Sequence, residues 1–600
     1  LFRKMAAAYL ILNENRFKII AYERAADSIE HLTREVKDVW DDGKLDTIPG
    51  VGEAITKHLN DLFTTGKIPH FDEIMKKVPQ AIFPLLSVPG IGPKKAYTLV
   101  SEFKLKNPDT VIGDLEKCAL SHRIAVLEGF GEKSEADILE AIETYKKGQI
   151  KEDRMVLPVA DSIAGELMAY LGNLESVKKI DILGSLRRRV ATIGDIDIAV
   201  ATNKPEEVIN LFVGYPNQKI IEKGPTGASI LLHNGRQADL RVQVPEKYGA
   251  MLQYFTGSKN HNIKLRSFGL AQGKSLNEYG IKLLRKISNI QYPISNYDKK
   301  EKLYVFHNEK SFYNALGLAW IPPELREDKG EIEASLKGKL PKLVELSDIK
   351  GDLHIHTNYD LQPSHDLGVD PLDVYLDRAL QLGYAYIGIS DHNPKVSDLS
   401  DEKIVDIMKR RKEFYEHKYS LWVKSFGNAQ DIQVRIFIMC EVDIKPDGSL
   451  ALPDRAFDFV DAVIVSIHSS FNQPRKEMTK RVTDALRYHP KVRIFGHPTG
   501  RLLTKREGIE LDWDEIFAVC AARDIALEIN AEPMRLDLPD TVVYDAVKAG
   551  LKLSINTDSH GVAGMDMMRY GVDVAKRGWC SPRDIVNALG YTDIHKWLVK

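Results

Sequence analysis

The chain has 600 residues, 44% of them hydrophobic and 28% charged, and a formal net charge of −2. This composition is typical of globular proteins, and the length requires several domains because one core seldom extends beyond about 250–300 residues. No apolar run reaches the roughly 18 residues that a membrane span needs, and no secretory signal is recognisable. We therefore expect a cytoplasmic protein with no membrane partner.

Three Gly-apolar-Gly turns recur in the first 150 residues, in IPGVGEAITKHL, VPGIGPKKAYTL and LEGFGEKSEADIL. The first glycine can adopt a positive φ, and the amides that open the following helix can donate to a phosphate oxygen. One such turn would indicate an ordinary helix-helix corner, whereas three favour a helical grip on a DNA backbone. They resemble helix-hairpin-helix motifs, and the candidate DNA-binding residues are Gly50, Gly52, Gly90, Gly92 and Lys94.

The segment GDIDIAV predicts a short strand with two carboxylates on one face. Asp195 and Asp197 would lie about 7 Å apart along this strand and repel each other unless a cation lies between them. Asp239 in ADLRVQV is a candidate third ligand on a neighbouring strand, and an all-oxygen site suits Mg²⁺. The alternative is an edge strand with solvent-facing aspartates. The upstream LGSLRRR, with a turn and guanidinium groups for a triphosphate, favours the metal site.

A basic run follows over residues 259–290, with seven Lys or Arg against one Glu. GSLRRRVATIGDIDI, ADLRVQV and YFTGSKNHNIKLR together resemble the palm and thumb of family X DNA polymerases, the family of DNA polymerase beta. The resemblance implies that Asp195, Asp197 and Asp239 hold two Mg²⁺ ions for in-line displacement. It implies phosphate binding by Gly184, Ser185 and Arg188, a sugar pocket of Tyr254, Phe255 and Gly257, and contacts to the base and template from Asn262 and Arg266.

In the second half, apolar strands alternate with helical patterns, which predicts a βα barrel with its chemistry at the carboxyl ends of the strands. DLHIHT, SDHN, CEVDI, SIHSS, GHP and NTDSH resemble the PHP (polymerase and histidinol phosphatase) domain. That domain binds up to three divalent metals, and mixed imidazole and carboxylate ligands suit Mn²⁺ or Zn²⁺. The implied ligands are His354, His356, His392, Glu441, His468, His497, Asp558 and His560. For a ninth ligand our first choice is Asp366 and our second Asp360.

We predict a multidomain protein: an all-α helix-hairpin-helix region, an α+β nucleotidyltransferase palm with a thumb, and a distorted TIM-like βα barrel. The predicted domains are an N-terminal helical domain (1–85), a fingers-type helix-hairpin-helix domain (86–153), a palm (154–243), a thumb (244–326), a linker (327–347) and a PHP domain (348–600).

The two resemblances imply a gap-filling DNA polymerase with a 3′-5′ exonuclease, apurinic-site endonuclease or 3′-phosphatase, acting in base excision repair. We expect a monomer that binds gapped or primer-template DNA and deoxynucleoside triphosphates. In one alternative, the PHP domain is a structural metal-binding or DNA-binding module without nuclease activity. In a second, the whole protein is a phosphoesterase whose palm only binds nucleotide.

Overall fold

The computed structural model describes residues 1–600 except 31–35, 42, 49, 89, 109, 128, 147–153, 285–296, 299–302, 398, 427–433 and 600. The chain divides into two compact units, Leu1–Lys151 and Glu152–Lys600. The predicted domain end at 153, residues 285–290 of the basic run and the final residue 600 lie outside the described residues. Within the described part, every helix is too short or too polar to cross a bilayer.

The described part of the first unit is all helical, as predicted. Its α-helices are α1 (Phe2–Ile11), α2 (Arg16–Glu30), α3 (Val36–Asp41), α4 (Glu53–Thr65), α5 (Pro69–Met75), α6 (Ile82–Leu85), α7 (Pro93–Glu102), α8 (Val111–Leu120) and α9 (Glu132–Lys146).

The three glycine turns share one geometry in this unit. Gly50, Gly90 and Gly129 have φ values of 78°, 76° and 84°, a region that favours glycine. Gly52 and Gly92 then precede α4 and α7 as extended N-cap residues. The chain therefore turns at the first glycine and enters a helix directly after the second.

The second unit begins with a five-stranded sheet of order β2-β4-β7-β6-β5 and a separate pair of β1 with β3. The strands are β1 (Met155–Val156), β2 (Lys179–Ile182), β3 (Thr192–Ile193), β4 (Ile196–Ala201), β5 (Lys219–Gly224), β6 (Gly227–Leu231) and β7 (Gln237–Gln243). Helices α10 (Leu157–Gly172), α11 (Gly184–Arg187) and α12 (Pro205–Val213) complete this region.

Successive side chains of β4 point to opposite faces of the sheet, and each face packs into a different hydrophobic core. Ile196, Ile198 and Val200 are buried in the core that includes residues of α10 and α12. Ala199 and Ala201 face the other way, toward α13 (Tyr248–Thr256). Asp197 has the parity of the second face, so its carboxylate stays outside the larger core.

The thumb region follows the sheet. It contains α13, α14 (Lys259–Ala271), α15 (Glu309–Ala315) and α16 (Glu331–Leu336). Its antiparallel sheet, in the order β10-β11-β9-β8, is formed by β8 (Lys274–Asn277), β9 (Gly280–Leu283), β10 (Tyr297–Asp298) and β11 (Leu303–Tyr304).

The C-terminal region is built from parallel strands alternating with helices. The strands are β12 (Gly351–Ile355), β13 (Tyr386–Ile389), β14 (Arg435–Ile438), β15 (Cys440–Asp443), β16 (Val463–Ser466), β17 (Val492–Phe495), β18 (Ala526–Asn530) and β19 (Leu553–Asn556). The helices are α17 (Leu372–Gln381), α18 (Asp401–Ser425), α19 (Arg475–Tyr488), α20 (Trp513–Arg523), α21 (Asp540–Lys548), α22 (Met568–Arg577) and α23 (Tyr591–Leu598).

These strands follow one another around a ring, in the orders β12-β13-β14 and β15-β16-β17-β18-β19. Parallel bridges between His392 and Glu441 and between Ile355 and Ser559 join the two sheets at both ends. The carboxyl ends of these parallel strands therefore point to the same side. The predicted multidomain fold, with a helical region followed by mixed α and β regions, is confirmed, and the C-terminal region is consistent with the predicted βα barrel.

Candidate functional site

The first candidate site lies on adjacent strands of the palm sheet. Asp197 on β4 stands opposite Asp239 on β7 in the parallel register, and Asp195 directly precedes β4. One carboxylate oxygen from each of these three residues lies within 4.8 Å of the other two. The structure thus brings together the three aspartates that the sequence predicted as catalytic and metal-binding.

Electrostatic repulsion is strong among these carboxylates. Burial and the charges of Asp195 and Asp239 raise the pKa of Asp197 to about 8. Asp239 is buried and is oriented by Gln237, whose Nε2 donates to its two oxygens at 3.1 and 3.0 Å. A divalent cation would remove the repulsion, and a set of three carboxylates fits Mg²⁺.

Gly184 allows the turn after β2 to lie directly against Asp197 of β4. The amide of Leu183 donates to the carbonyl of Asp197 at 2.8 Å, which brings the turn against β4. Gly184 has a φ of 57°, and a Cβ at this position would overlap Oδ2 of Asp197. Any residue other than glycine would therefore displace either the turn or the carboxylate of Asp197.

The predicted phosphate-binding turn continues through Ser185 to Arg188. Arg188 Nε donates to Glu327 Oε1 at 2.9 Å, and its Nη1 donates to the carbonyl of Thr256 at 2.7 Å. Arg188 thus contacts the thumb region. Its positive charge also lowers the pKa of Asp197, but burial raises that pKa by more. The roles of Ser185 and Arg188 in phosphate binding stay predictions.

The residues predicted to contact the sugar and the base lie close together at the junction of α13 and α14. The Tyr254 and Phe255 rings have centroids 5.0 Å apart. Asn262 Nδ2 donates to the carbonyl of Tyr254 at 2.6 Å, and a Cβ on Gly257 would overlap the Asn262 amide. These four residues therefore form one local unit. Arg266 lies one turn further along α14, and its contact with a template stays a prediction.

The second candidate site lies where the C-terminal strands end. The eight ligands implied by the PHP resemblance stand on or directly after these strand ends: His354 and His356 (β12), His392 (β13), Glu441 (β15), His468 (β16), His497 (β17), and Asp558 and His560 (β19). Seven of the eight take part in groups whose potential ligand atoms lie within 4.8 Å of one another, and the exception is His497. Residues from six strands therefore meet on one side of the C-terminal region.

Glu441 is at the centre of this cluster. Its Oε2 lies 2.9 Å from His392 Nδ1 and 3.3 Å from His354 Nε2. Its Oε1 lies 2.9 Å from His497 Nε2 and 3.4 Å from His468 Nε2. Glu441 Oε2, His354 Nε2 and His392 Nδ1 are buried but make no hydrogen bond of acceptable geometry. Buried polar atoms normally have partners, so these convergent atoms fit metal ions.

The carboxylates and imidazoles of the cluster shift each other's protonation. Burial alone would lower the pKa of His354, but Glu528, Asp558 and Glu441 raise it well above its usual value. Burial would raise the pKa of Glu441, yet His392, His354 and His468 hold it well below its usual range. Burial and the neighbouring His392 lower the pKa of His356 to about 3. The site therefore combines charged pairs with neutral imidazole nitrogens, which are metal ligands.

Glu528 is a functional residue that the sequence analysis missed. It is buried on β18, its Oε1 lies 2.7 Å from His354 Nδ1, and its Oε2 accepts the amide of His497 at 2.6 Å. A carboxylate on Nδ1 leaves Nε2 of His354 directed at the site. The signal was available in ALEIN, where a glutamate interrupts an apolar strand.

In the loop after β12, His365 lies closest to the cluster, while Asp360 and Asp366 as ninth ligand stay predictions. Asp360 Oδ1 accepts the amide of Gln362 at 2.8 Å, and Asp360, His365 and Asp366 are all exposed. Among the described residues, neither aspartate is part of a potential metal-binding group, but His365 forms one with Asp443 and His468. His365 Nε2 lies 3.0 Å from Asp443 Oδ1, and His468 Nδ1 lies 2.7 Å from the same oxygen.

Hydrogen bonds hold this loop against the cluster. The amide of Ser364 donates to the carbonyl of Asn393 at 2.8 Å, and the amide of Lys395 donates to the carbonyl of Gln362 at 2.9 Å. These two bonds tie the loop to the segment directly after His392. The position of His365 thus depends on a loop conformation that residue spacing alone did not reveal.

Two ligand positions have unusual backbone angles. His497 has a φ of 25° and Asp558 a φ of 55°, in the region that side chains seldom adopt. Such strain is retained where the surrounding structure requires it, most often at functional sites.

Family models match four parts of this chain. Residues 1–68 match a helix-hairpin-helix domain, and residues 42–105 and 82–144 match a SAM-like helix-hairpin-helix tandem. Residues 251–327 match the DNA polymerase beta thumb, and residues 352–532 match the PHP domain.

One relative aligns with almost the whole chain, and another aligns with about half of it. The DNA polymerase/3′-5′ exonuclease PolX of Bacillus subtilis is 32% identical over 99% of this chain and 97% of its own length. DNA polymerase lambda of Arabidopsis thaliana is 23% identical over 54% of this chain and 61% of its own. A ternary complex of Leishmania infantum polymerase beta matches 42% of this chain and 99% of its own at 20% identity, with a TM-score of 0.27. The full-length match, with the thumb and PHP models, shows that the chain belongs to the PolX family, which resembles DNA polymerase beta and has a C-terminal PHP domain.

Proposed function

We propose that this protein is a DNA polymerase that fills gaps in DNA and, with its PHP domain, removes nucleotides from 3′ ends. The observation that supports both activities is the presence of two separate sets of metal-ligand atoms, one of three carboxylates and one rich in imidazoles. The Bacillus subtilis relative is named as a polymerase and a 3′-5′ exonuclease, and these two activities correspond to the two sets.

In the polymerase reaction, the primer 3′-hydroxyl attacks the α-phosphorus of a deoxynucleoside triphosphate, and pyrophosphate leaves. Asp195, Asp197 and Asp239 would hold two Mg²⁺ ions, which supply positive charge to the attacking oxygen and the triphosphate. The Gly184 turn would bind the β and γ phosphates through Ser185 and Arg188. Tyr254, Phe255 and Gly257 would bound the sugar, with Asn262 and Arg266 near the base and template.

In the 3′-5′ reaction, water attacks the terminal phosphodiester, and the 3′ oxygen of the preceding nucleotide leaves with a proton. The nine residues that would hold up to three Mn²⁺ or Zn²⁺ ions are His354, His356, His365, His392, Glu441, His468, His497, Asp558 and His560. When bound, these ions activate water and offset the charge that develops on phosphate. Glu528 would keep His354 in the tautomer that faces the ions.

The substrate would be gapped or primer-template DNA. The glycine turns at Gly50, Gly52, Gly90 and Gly92, with the exposed Lys94, would bind its phosphates without reading sequence. Removing a damaged 3′ end before extending it suits base excision repair, with the protein acting as a monomer.

Paired substitutions test the two sites separately. Asp195→Ala with Asp197→Ala should lower primer extension on a one-nucleotide gap by at least about 1,000-fold, because the polymerase ions lose two ligands. Mn²⁺-dependent degradation of a labelled 3′ end should persist. His354→Ala should produce the opposite result, and the bound metal per chain should fall.

Each variant is the matched control for the other. Loss of both activities in either variant would contradict two independent sites. Unchanged 3′ degradation in folded His354→Ala would favour the alternative, a PHP domain that only binds metal or DNA.

A further inference from the structure

A buried charge network joins the phosphate-binding turn of the palm to the C-terminal barrel. Glu327 Oε1 accepts from Arg188 Nε at 2.9 Å and from Arg577 Nη1 at 3.0 Å. Arg577 Nη1 also donates to the carbonyl of Arg188 at 2.8 Å. Arg577 is the last residue of α22, so a side chain from the barrel contacts both the backbone and the ionic partner of Arg188.

The network is largely shielded from water. The side chains of Arg188, Glu327 and Arg577 are 15%, 19% and 7% exposed. Arg577 Nη2 also donates to Asp540 Oδ2 at 2.9 Å, and Lys329 Nζ lies 3.5 Å from that oxygen. A carboxylate in such surroundings is costly to leave without a cation.

The next residue of the turn is held by the same helix. Arg189 Nε donates to Asp573 Oδ2 of α22 at 2.7 Å, and its Nη2 donates to Asp161 at 2.7 Å. Two consecutive arginines of the turn therefore depend on α22. This helix follows the metal-ligand segment of β19 in the chain but lies outside the cluster itself.

We infer that Arg577 is a positioning residue for nucleotide binding in the polymerase site, although it belongs to the PHP region. Arg188 can donate both edges of its guanidinium to a triphosphate only if it releases Glu327 and the carbonyl of Thr256, and of these two acceptors Glu327 carries the charge. Because Arg577 already donates to the same oxygen, Glu327 keeps a cationic partner after that release. Arg577 thereby lowers the free-energy cost of moving Arg188 to the triphosphate.

The inference rests on the proposed role of Arg188, so the first measurement tests that role. Steady-state incorporation of one nucleotide into a gapped duplex is followed in the full-length protein with Mg²⁺. Arg188→Met should raise the KM for the triphosphate by at least tenfold. If it does not, the proposed phosphate-binding role fails before Arg577 is considered.

Arg577→Met should then raise the triphosphate KM by about tenfold, a loss of about 1.4 kcal/mol in binding, with kcat within about twofold. Adding Glu327→Gln should cancel most of this increase, because a neutral amide no longer holds Arg188 or needs a cation. The matched control is Arg583→Met, which removes an arginine whose side chain is 89% exposed.

Metal content and 3′ degradation should stay unchanged in Arg577→Met, which establishes that the barrel is folded. An unchanged KM in Arg577→Met, with a raised KM in Arg188→Met, overturns the inference alone. An equal increase with and without Glu327→Gln also overturns it, because that result indicates a general structural defect. If Arg577→Met does not fold, Arg577→Lys replaces it with an expected increase of about threefold, and no increase overturns the inference.

Discussion

The two metal sites differ in how they are kept stable before a metal ion arrives. In the palm, three carboxylates face one another, and Asp195 is exposed to solvent. In the barrel, Glu441 is surrounded by imidazoles at 2.9 to 3.4 Å. The palm site is therefore an open site whose carboxylates repel one another, whereas in the buried barrel site imidazoles lie between the carboxylates. The first suits ions that enter with a triphosphate, and the second suits ions that remain bound.

Gly184→Ala would break the geometry of the open site without changing its charge. The added Cβ would overlap Oδ2 of Asp197 at a φ that alanine avoids. We expect primer extension to fall by about 100-fold, since a displacement of about 1 Å at a reacting centre has effects of that size.

Gly172→Ala is the matched control, because no atom lies within 4 Å of the Cβ that it would add. Exonuclease activity should be normal in both variants. Normal primer extension by Gly184→Ala would mean that the contact with Asp197 is unimportant for catalysis.

His365→Ala tests whether His365 is a metal ligand of the barrel site. If His365 is a ligand, the substitution should remove about one metal ion per chain and lower 3′ degradation about tenfold, in the range typical for the loss of supporting groups at metal sites. Metal content is measured by mass spectrometry of the purified protein after dialysis.

Asp366→Ala and Asp360→Ala are the natural controls, because both residues belong to the same loop. They should keep the full complement of metal. The reverse result, with metal lost from Asp366→Ala and retained in His365→Ala, would restore our original prediction of the ninth ligand.

The smallest predicted effect is a pH dependence of the protein's thermal stability that arises from Asp197 in the palm site. The pKa of Asp197 is raised to about 8, above the value of about 3.9 in unfolded chains, so the fold binds a proton more tightly than the unfolded state does. Without metal, this group's ionisation lowers stability as pH rises from about 4 to about 8. Mg²⁺ should therefore raise Tm by a few degrees more at pH 8.5 than at pH 6.

Asp197→Asn removes the ionisation and should abolish this difference in the Mg²⁺ effect. Differential scanning calorimetry with chelator and with Mg²⁺ measures both proteins. An effect of Mg²⁺ that is equal at the two pH values in the natural sequence would contradict the electrostatic account of the open site.

Much of the architecture was predictable because it depends on short-range patterns. The strand alternation in GDIDIAV identified the shared face of Asp195 and Asp197, and the turn-helix pattern identified the glycine motifs. The barrel ligands were predicted from the PHP resemblance, and most of them stand where an apolar strand ends. ADLRVQV identified Asp239 as a third ligand on a neighbouring strand, and in the structure it lies opposite Asp197.

What could not be predicted depends on contacts between distant segments. His365 reaches the cluster because the loop pairs with Asn393 and Lys395, and spacing within the loop does not encode that pairing. The link from Arg188 to Arg577 joins residues 389 positions apart. Glu528 was visible as a polar residue in an apolar strand, but its partners depend on the order of strands around the ring.

The ion pairs around Glu441 and Asp558 have a consequence for how the barrel acquires its metals. Neighbouring carboxylates raise the pKa of His354 and His392, so these two imidazoles favour the protonated form when no metal is bound. Metal loading is then an exchange, in which entering cations displace protons from these imidazoles. Protons and metal ions would compete for the same two positions. Occupancy of the barrel would therefore report the balance between the two.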